Sequence, residues 1–268
     1  MRMIGLIGAG NMGSAILRGV IDAGYVKQSQ MLVCDASHRK MEELSNELPS
    51  VNYCDSPLDL AAQADMIILA VKPNYLQGVI DEIREELEGK AMISIAAGWT
   101  VSMLAEALGG SGATYLRVMP NTPAMVGEGM TALCDDSTFS KEDFAFAKGI
   151  FDAVGRTVVL PERLFDGVIA ISGSSPAYVF MMIEAMADAG VKEGLPRSCA
   201  YEMAAQAVLG SALMVLQSGT HPASLKDAVC SPGGTTIEAV EELERKGFRA
   251  AIMDAMNACA EKSRQMSR

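Results

Sequence analysis

The stretch Met3–Val20 constrains the fold more than any other part of the chain. It begins with an apolar run typical of a buried strand, and Gly8, Gly10 and Gly13 follow with the spacing G-x-G-x-x-G. In such a unit, the first glycine permits a tight turn, the second lets a pyrophosphate approach the backbone, and the third lets the next helix pack closely. Free N–H groups at the start of that helix bind phosphate. The motif therefore predicts a dinucleotide-binding βα unit.

An acidic residue at the expected distance supports this interpretation. Asp35 ends the next predicted strand, Met31–Asp35, and comes 22 positions after Gly13. A carboxylate there accepts hydrogen bonds from a ribose 2′-OH and repels a 2′-phosphate, which favours NADH. Residues 37–40 (SHRK) would still reach a phosphate if Asp35 turned away. The alternative for the whole motif is a glycine-lined packing turn that binds nothing.

Composition disfavours several classes of protein. With 268 residues, 50% of them hydrophobic, the chain is long enough to bury a core and to form two domains, and its net charge of −11 disfavours a nucleic-acid partner. The six cysteines form no C-x-x-C pair and there are two histidines, so we expect neither a metal site nor a disulfide framework. We find no signal-peptide pattern, and we expect Ala204–Leu216 to be too short to span a bilayer. These features predict a soluble cytoplasmic protein with no membrane partner.

Strands and helices alternate over about the first 120 residues, which predicts a right-handed, doubly wound parallel sheet. Met130–Cys134 and Arg156–Leu160, around a helix at Lys141–Phe151, are expected to complete this sheet. From Leu164 onward the patterns are helical only, and the predicted helices are Pro176–Ala189, Ser198–Leu216, Leu225–Val229, Thr235–Lys246 and Phe248–Lys262. The fold class is therefore α/β, a Rossmann domain followed by an all-α domain.

The predicted helix Ser198–Leu216 is apolar or small on nearly every face. Such a helix must be covered all round, and about a hundred residues of helix do not easily achieve that alone. We therefore expect a partner subunit to cover it. The alternative is the central helix of a monomeric bundle.

A second glycine-rich helix start lies in Val229–Leu243. Ser231–Gly234 forms a turn, and Thr235 and Thr236 open a helix whose N–H groups suit a small carboxylate. Because no strand precedes it, this is not expected to be a second dinucleotide site. The alternative is ordinary capping of a long helix, which the residues alone favour slightly.

Several motifs together resemble the pyrroline-5-carboxylate reductases, the enzymes of the last step of proline biosynthesis. The resemblance runs essentially end to end, and its most specific motif is SPGGTT at 231–236. The other supporting motifs are GAGNMG at 8–13, AVKP at 70–73, AAG at 96–98, PNTPA at 120–124, SGSSPAY at 172–178, GVKEGLP at 190–196 and HPASLKD at 221–227. Two departures are Ser175, where a glycine is common, and Ala228, where some relatives carry an asparagine.

The resemblance implies a Rossmann domain at 1–161 that binds NADPH or NADH, and a helical dimerisation and substrate domain at 162–268. It implies a homodimer that assembles further into decamers. The implied cofactor contacts are Gly8, Ala9, Gly10, Asn11, Met12, Gly13, Asp35, Ala70, Val71, Lys72, Pro73, Ala97 and Asn121. The implied substrate contacts are Glu162, Gly233, Gly234, Thr235 and Thr236.

In the implied reaction, a hydride reaches the imine carbon of 1-pyrroline-5-carboxylate and L-proline forms. Thr236 is then the candidate catalytic residue, because a donor aimed at the imine nitrogen stabilises the transition state more than the ground state. His221 is expected to be a loop or helix-cap residue rather than a base, and Trp99 to line the cofactor rim or cover the sheet edge. Two alternatives are another Rossmann enzyme, such as a β-hydroxyacid dehydrogenase or imine reductase, and a non-catalytic dinucleotide-sensing dimer.

Overall fold

A computed structural model describes residues 2–267 of the chain. Within that range, eight strands form one sheet. They are β1 (Ile4–Ile7), β2 (Met31–Cys34), β3 (Asn52–Tyr53), β4 (Met66–Leu69), β5 (Ala91–Ser94), β6 (Thr114–Met119), β7 (Gly129–Cys134) and β8 (Gly155–Leu160). Their order across the sheet is β3-β2-β1-β4-β5-β6-β7-β8. β1 pairs with β2 on one side and with β4 on the other, so the strand order reverses beside β1, where open α/β sheets bind ligands.

Helices cover both faces of the sheet, and every residue of β1, β2, β4 and β5 is buried. Apolar side chains of β1 alternate between the two faces: Leu6 belongs to one core cluster and Ile7 to the other. The helices are α1 (Asn11–Asp22), α2 (His38–Glu47), α3 (Pro57–Gln63), α4 (Pro73–Ile83), α5 (Val101–Ala107) and α6 (Lys141–Asp152). The first, second and sixth contribute buried side chains to the cluster with Leu6, and the other three to the cluster with Ile7. The predicted α/β class is confirmed, with element ends that differ from the predicted ones by a few residues.

The last two strands add an antiparallel step that the alternation of strands and helices did not predict. The first six strands are parallel, but β7 runs antiparallel to β6, and β8 is parallel to β7. The connection from β6 to β7 contains only a short 3₁₀ turn at Thr122–Val126. A parallel pairing needs a crossover of a dozen or more residues, so this short connection requires an antiparallel neighbour.

The segment after β8 is helical earlier than we predicted. A 3₁₀ turn at Glu162–Leu164 leads into α7 (Phe165–Val168), and a wider π-type turn follows at Ile169–Gly173. We predicted a helix only from Pro176. Glycine, serine and β-branched residues make up most of this segment (GVIAISGSS) and have low helix propensity, which explains why the pattern did not indicate a helix there.

The described chain divides into two compact units. Unit 1 extends to Ser174 and also takes in the residues from Cys259 onward, and unit 2 is Ser175–Ala258. Unit 2 contains α8 (Ser175–Lys192), α9 (Arg197–Ser218), α10 (Pro222–Val229), α11 (Thr235–Arg245) and most of α12 (Phe248–Met266). The end of α12 packs in unit 1, where Ser263 Oγ donates to Asp166 Oδ1 at 2.6 Å. The sequence-based boundary between residues 161 and 162 remains a prediction.

Helix α9 is poorly covered by its own chain. Only Ala200 and Ala204 are buried among its residues, whereas Leu209, Met214 and Leu216 are exposed. The alternative of a central helix in a monomeric bundle is therefore wrong. α9 also extends beyond the apolar segment Ala204–Leu216 at both ends.

Two helical segments, 162–192 and 197–218, have the length and hydropathy that a membrane crossing would require, by composition alone. The apolar segment Ala204–Leu216, which we expected to be too short to span a bilayer, lies within the second, longer segment, so our argument from the length of residues 204–216 does not hold.

Candidate functional site

The glycine turn between β1 and α1 leaves open backbone beside it. Gly8 has a φ of +100°, and a Cβ there would lie 2.7 Å from the Ala70 carbonyl oxygen. A Cβ at Gly13 would collide with the Gly8 carbonyl oxygen, whereas nothing lies within 4 Å of the same position at Gly10. Within the described chain, no side chain caps the start of α1 and its first turn carries no acidic residue. Free N–H groups and open space at Gly10 therefore suit a bound phosphate.

Asp35 fixes this turn directly. Its Oδ2 accepts a hydrogen bond from the N–H of Ala9 at 2.7 Å, and its Oδ1 accepts one from Ser37 at 2.8 Å. Each carboxylate oxygen has a further lone pair, so the group can still accept a hydrogen bond from a ribose hydroxyl. Asp35 is thus both a structural anchor of the turn and a candidate ligand.

A cleft of about 640 Å³ opens at the carboxyl ends of β1, β2 and β4. The predicted cofactor residues that line it are Gly8, Gly10, Asp35, Ala70, Val71 and Lys72. Cys34 also lines this cleft, and burial raises the pKa of its thiol to about 11, so the thiol stays neutral. Of the remaining residues of the predicted turn, Ala9 lies between β1 and α1, and Asn11, Met12 and Gly13 are the first three residues of α1.

Trp99 holds the neighbouring loop against the start of α4. Its indole Nε1–H donates to the carbonyl oxygen of Pro73 at 3.1 Å, and its side chain is buried in the core. This favours the sheet-covering role that we considered for Trp99. Ala97 lies in the same loop, between β5 and α5, next to Gly98, whose φ is +81°.

The side-chain amide of Asn121 forms hydrogen bonds within the protein. Its Nδ2 donates to the carbonyl oxygen of Ser172 at 3.0 Å, and its Oδ1 accepts from the N–H of Met130 at 2.8 Å. The side chain is buried and joins β7 to the π-type turn. Its predicted cofactor contact stays a prediction, and any such contact must use other atoms or the remaining lone pair of the amide oxygen.

Glu162, predicted as a substrate contact, lies at the end of β8 and forms an ion pair. Its Oε1 accepts hydrogen bonds from Arg117 Nη1 and from the N–H of Val101, both at 2.6 Å. Our sequence analysis did not identify Arg117. The available signal was a lone arginine inside an apolar strand (YLRVM), which requires a buried partner.

The second glycine-rich turn gives an uncapped helix start in unit 2. Gly233 has a φ of +66°, and Gly234 occupies the N-cap position of α11. No described side chain accepts a hydrogen bond from the first turn of this helix, so the capping alternative is not observed. The N–H groups at Thr235 and Thr236 therefore remain available to an anion.

His221 is a helix cap, as predicted. Its Nδ1 accepts a hydrogen bond from the N–H of Ala223 at 3.2 Å, at the start of α10. Of the two departures from the family pattern, Ser175 begins α8 and Ala228 lies near the end of α10.

Comparison with protein families identifies both halves of the chain. A model described as "Pyrroline-5-carboxylate reductase dimerisation" matches residues 162–266, and one described as "NADP oxidoreductase coenzyme F420-dependent" matches residues 3–98. The dimerisation match shows that the helical half forms a homodimer, in agreement with the exposed apolar face of α9.

Solved structures show the same fold. Pyrroline carboxylate reductase from Plasmodium falciparum, crystallised with NADP bound, has a TM-score of 0.90 and 34% identity, covering 100% of this chain and 98% of that one. A pyrroline-5-carboxylate reductase from Coxiella burnetii has a TM-score of 0.91 and 32% identity, covering 100% and 99%. An imine reductase from Myxococcus stipitatus, at 18% identity and a TM-score of 0.55, shares the fold alone.

Curated relatives match over the whole length. The pyrroline-5-carboxylate reductase of Escherichia coli is 49% identical over 268 residues, which is 100% of this chain and 99% of the relative. That of Arabidopsis thaliana is 41% identical, covering 98% and 95%. Full-length identity at this level, together with the dimerisation match, shows that the chain belongs to the pyrroline-5-carboxylate reductase family.

Proposed function

We propose that the chain reduces 1-pyrroline-5-carboxylate to L-proline with NADPH or NADH, the last step of proline biosynthesis. The observation that carries this proposal is the uncapped start of α11 at Gly233–Thr236, which offers N–H groups to a small carboxylate. The open glycine turn at Gly8–Gly13 supports the same reaction, because it suits a dinucleotide. The names of the full-length relatives agree with it.

The residues of unit 2 bind and orient the substrate. At the Gly233–Thr236 helix start, the N–H groups of Thr235 and Thr236 hold the ring carboxylate, and the Thr236 hydroxyl donates a hydrogen bond to the imine nitrogen, directly or through water. When bound, the reduced nicotinamide supplies the hydride that forms the new C–H bond at the imine carbon. The C=N π electrons pass to nitrogen, which takes a proton. A hydroxyl is a weak acid, so Thr236 orients and stabilises rather than acting as the main acid.

Both cofactors are expected to bind. Asp35 favours the free 2′-OH of NADH by charge, while a relative with 34% identity was crystallised with NADP. The residues proposed to hold the cofactor are Gly8, Ala9, Gly10, Asn11, Met12, Gly13, Asp35, Ala70, Val71, Lys72, Pro73, Ala97 and Asn121. The residues proposed to bind the substrate are Glu162, Gly233, Gly234, Thr235 and Thr236.

The homodimer is proposed to assemble further into decamers, in the cytoplasm. The net charge of −11 on each chain disfavours a nucleic-acid partner. The domain division at residues 161 and 162 belongs to the same proposal.

The proposed function is tested by mixing purified protein with 1-pyrroline-5-carboxylate and following the loss of nicotinamide absorbance. The assay is run in parallel with NADH and with NADPH. We expect substrate-dependent oxidation with at least one cofactor. Tight cofactor binding without oxidation of either would contradict the proposal and support a dinucleotide sensor. Faster turnover of a different cyclic imine, or of a 3-hydroxy acid with the oxidised cofactor, would contradict 1-pyrroline-5-carboxylate as the preferred substrate.

A further inference from the structure

Arg117 is a buried cation in β6 with two partners. Its side chain is 6% exposed, and its Nη1 donates to Glu162 Oε1 at 2.6 Å. Its guanidinium also lies over the ring of Phe165, 4.7 Å from the ring centre. Burying a charge is costly unless it is paired, so this arrangement indicates a defined structural task.

Glu162 links Arg117 to the start of α5. The same Oε1 accepts the N–H of Val101, the first residue of α5, at 2.6 Å. The backbone N–H of Glu162 is held in turn by Asp136 Oδ2 at 2.9 Å. Arg117 therefore fixes a carboxylate that joins the end of β8 to the start of α5.

The attached element is the loop between β5 and α5, which contains Ala97. The loop is anchored at Trp99, whose Nε1–H donates to the carbonyl oxygen of Pro73 at 3.1 Å. Its downstream end is held at Val101 by Glu162. Asp35, after β2, is proposed to take the ribose next to the adenine, so the loop after β5, on the other side of β1, is the one expected to face the nicotinamide. This loop depends on Arg117 at one of its two ends.

We propose that Arg117 is a positioning residue for the reduction: through Glu162, it sets the loop that carries Ala97. The proposal rests on the function proposed above for its kinetic consequence, and on the contacts within unit 1 for its structural part. The glycine turn at Gly8–Gly13 holds the other end of the dinucleotide and does not depend on this pair. Arg117 should therefore affect hydride transfer more than cofactor affinity.

The main variant is Arg117→Met, which removes the charge but keeps the length of the side chain. We expect kcat/KM for 1-pyrroline-5-carboxylate at saturating NADPH to fall about tenfold or more, with the Kd of NADPH changed less than about threefold. Trp99 is the single tryptophan of the sequence, so its fluorescence reports on this loop. We expect its emission to shift to longer wavelength and its quenching by acrylamide to increase.

Two further variants complete the experiment. Val101→Pro removes the N–H that Glu162 accepts, at the first helical position where proline is tolerated, and it carries the test if Arg117→Met does not fold. It should change Trp99 fluorescence and kcat/KM in the same direction. Arg2→Met is the matched control, because Arg2 also pairs with a carboxylate at 2.6 Å and lies 4.7 Å from a phenylalanine ring centre, away from this loop.

Unchanged Trp99 fluorescence in both test variants would overturn the proposal, whether or not the wild-type protein shows turnover. So would a kcat/KM within about threefold of wild type, or a parallel loss of NADPH affinity. An inactive wild-type protein, with the fluorescence changes still present, would overturn the proposed function but support the structural role of Arg117.

Discussion

The two units bury their apolar residues in different ways. In unit 1, strands β1, β2, β4 and β5 are buried at every residue, between helices of the same chain. In unit 2, α9 buries only Ala200 and Ala204 and leaves Leu209, Met214 and Leu216 exposed. Unit 1 therefore has a complete core within one chain, whereas unit 2 leaves apolar residues exposed, and we assign their cover to the partner subunit of the dimer.

Leu209→Glu should have the largest effect, because it places a charge on the face that we assign to the partner subunit. We expect the dimer mass to be lost and turnover to fall about 100-fold or more. Light scattering after size-exclusion chromatography and the absorbance assay measure both. Leu58→Glu, at an exposed leucine of unit 1, is the matched control and should leave the mass unchanged. A stable Leu209→Glu dimer would show that this face lies outside the interface.

Gly13→Ala should lower the stability of unit 1 alone. A Cβ there meets the Gly8 carbonyl oxygen, so we expect a loss of about 3 kcal/mol in the free energy of unfolding. Denaturant unfolding followed by circular dichroism measures it. Gly10→Ala has open space and should change stability by less than about 1 kcal/mol while weakening NADPH binding. Equal stability of both variants would refute the close packing at Gly13.

Thr236→Ala should affect only the chemistry proposed for unit 2. We expect kcat/KM to fall about 10- to 100-fold, because the hydrogen bond to the imine nitrogen is lost, and the Kd of NADPH to stay within about twofold. Thr236→Ser keeps the hydroxyl and should retain most activity. Full kcat/KM in Thr236→Ala would remove this residue from the mechanism.

Asp35→Asn should change the cofactor preference of unit 1, and it also removes one of the two acceptors for the N–H groups of Ala9 and Ser37. Removing the negative charge lowers the repulsion of a 2′-phosphate, so we expect the ratio of kcat/KM for NADPH over NADH to rise about tenfold. Steady-state kinetics with both cofactors gives the ratio. An unchanged ratio would mean that the carboxylate serves only the N–H groups of Ala9 and Ser37.

Thiol reactivity gives the smallest effect and tests the closed core of unit 1. Burial raises the pKa of the Cys34 and Cys134 thiols from 9.0 to about 11, which keeps them neutral at pH 8. We expect both to react far more slowly with a disulfide reagent than in the denatured chain. The unfolded thiols ionise first as pH rises above 9, so these two groups should lower stability between pH 9 and 11. Rapid labelling of Cys34 in the native protein would contradict its burial.

Local patterns were sufficient for much of unit 1. The apolar run before Gly8 and the glycine spacing predicted β1, its turn and α1, because each depends on neighbouring residues. The start of α3 depends on local residues in the same way: Pro57 is its first residue, and Ser56 Oγ accepts from the N–H of Asp59.

Features that depend on distant residues were not predictable in this way. The ion pair of Arg117 and Glu162 joins residues 45 positions apart, and neither position carries a periodic signal. The antiparallel direction of β7 follows from a connection length that we did not use. We assign the cover of α9 to another chain, so the sequence of one chain could indicate only that α9 needs such a cover.

The packing of the last turns of α12 in unit 1 has a consequence for how the protein folds. Unit 2 is inserted in the sequence between two segments of unit 1. The hydrogen bond between Asp166 and Ser263 can therefore form only after all of unit 2 has been synthesised. During translation, the Rossmann sheet can form early, but its final contacts close only when the inserted helices have been made. Domain insertion thus couples completion of the cofactor-binding unit to synthesis of the dimerising helices.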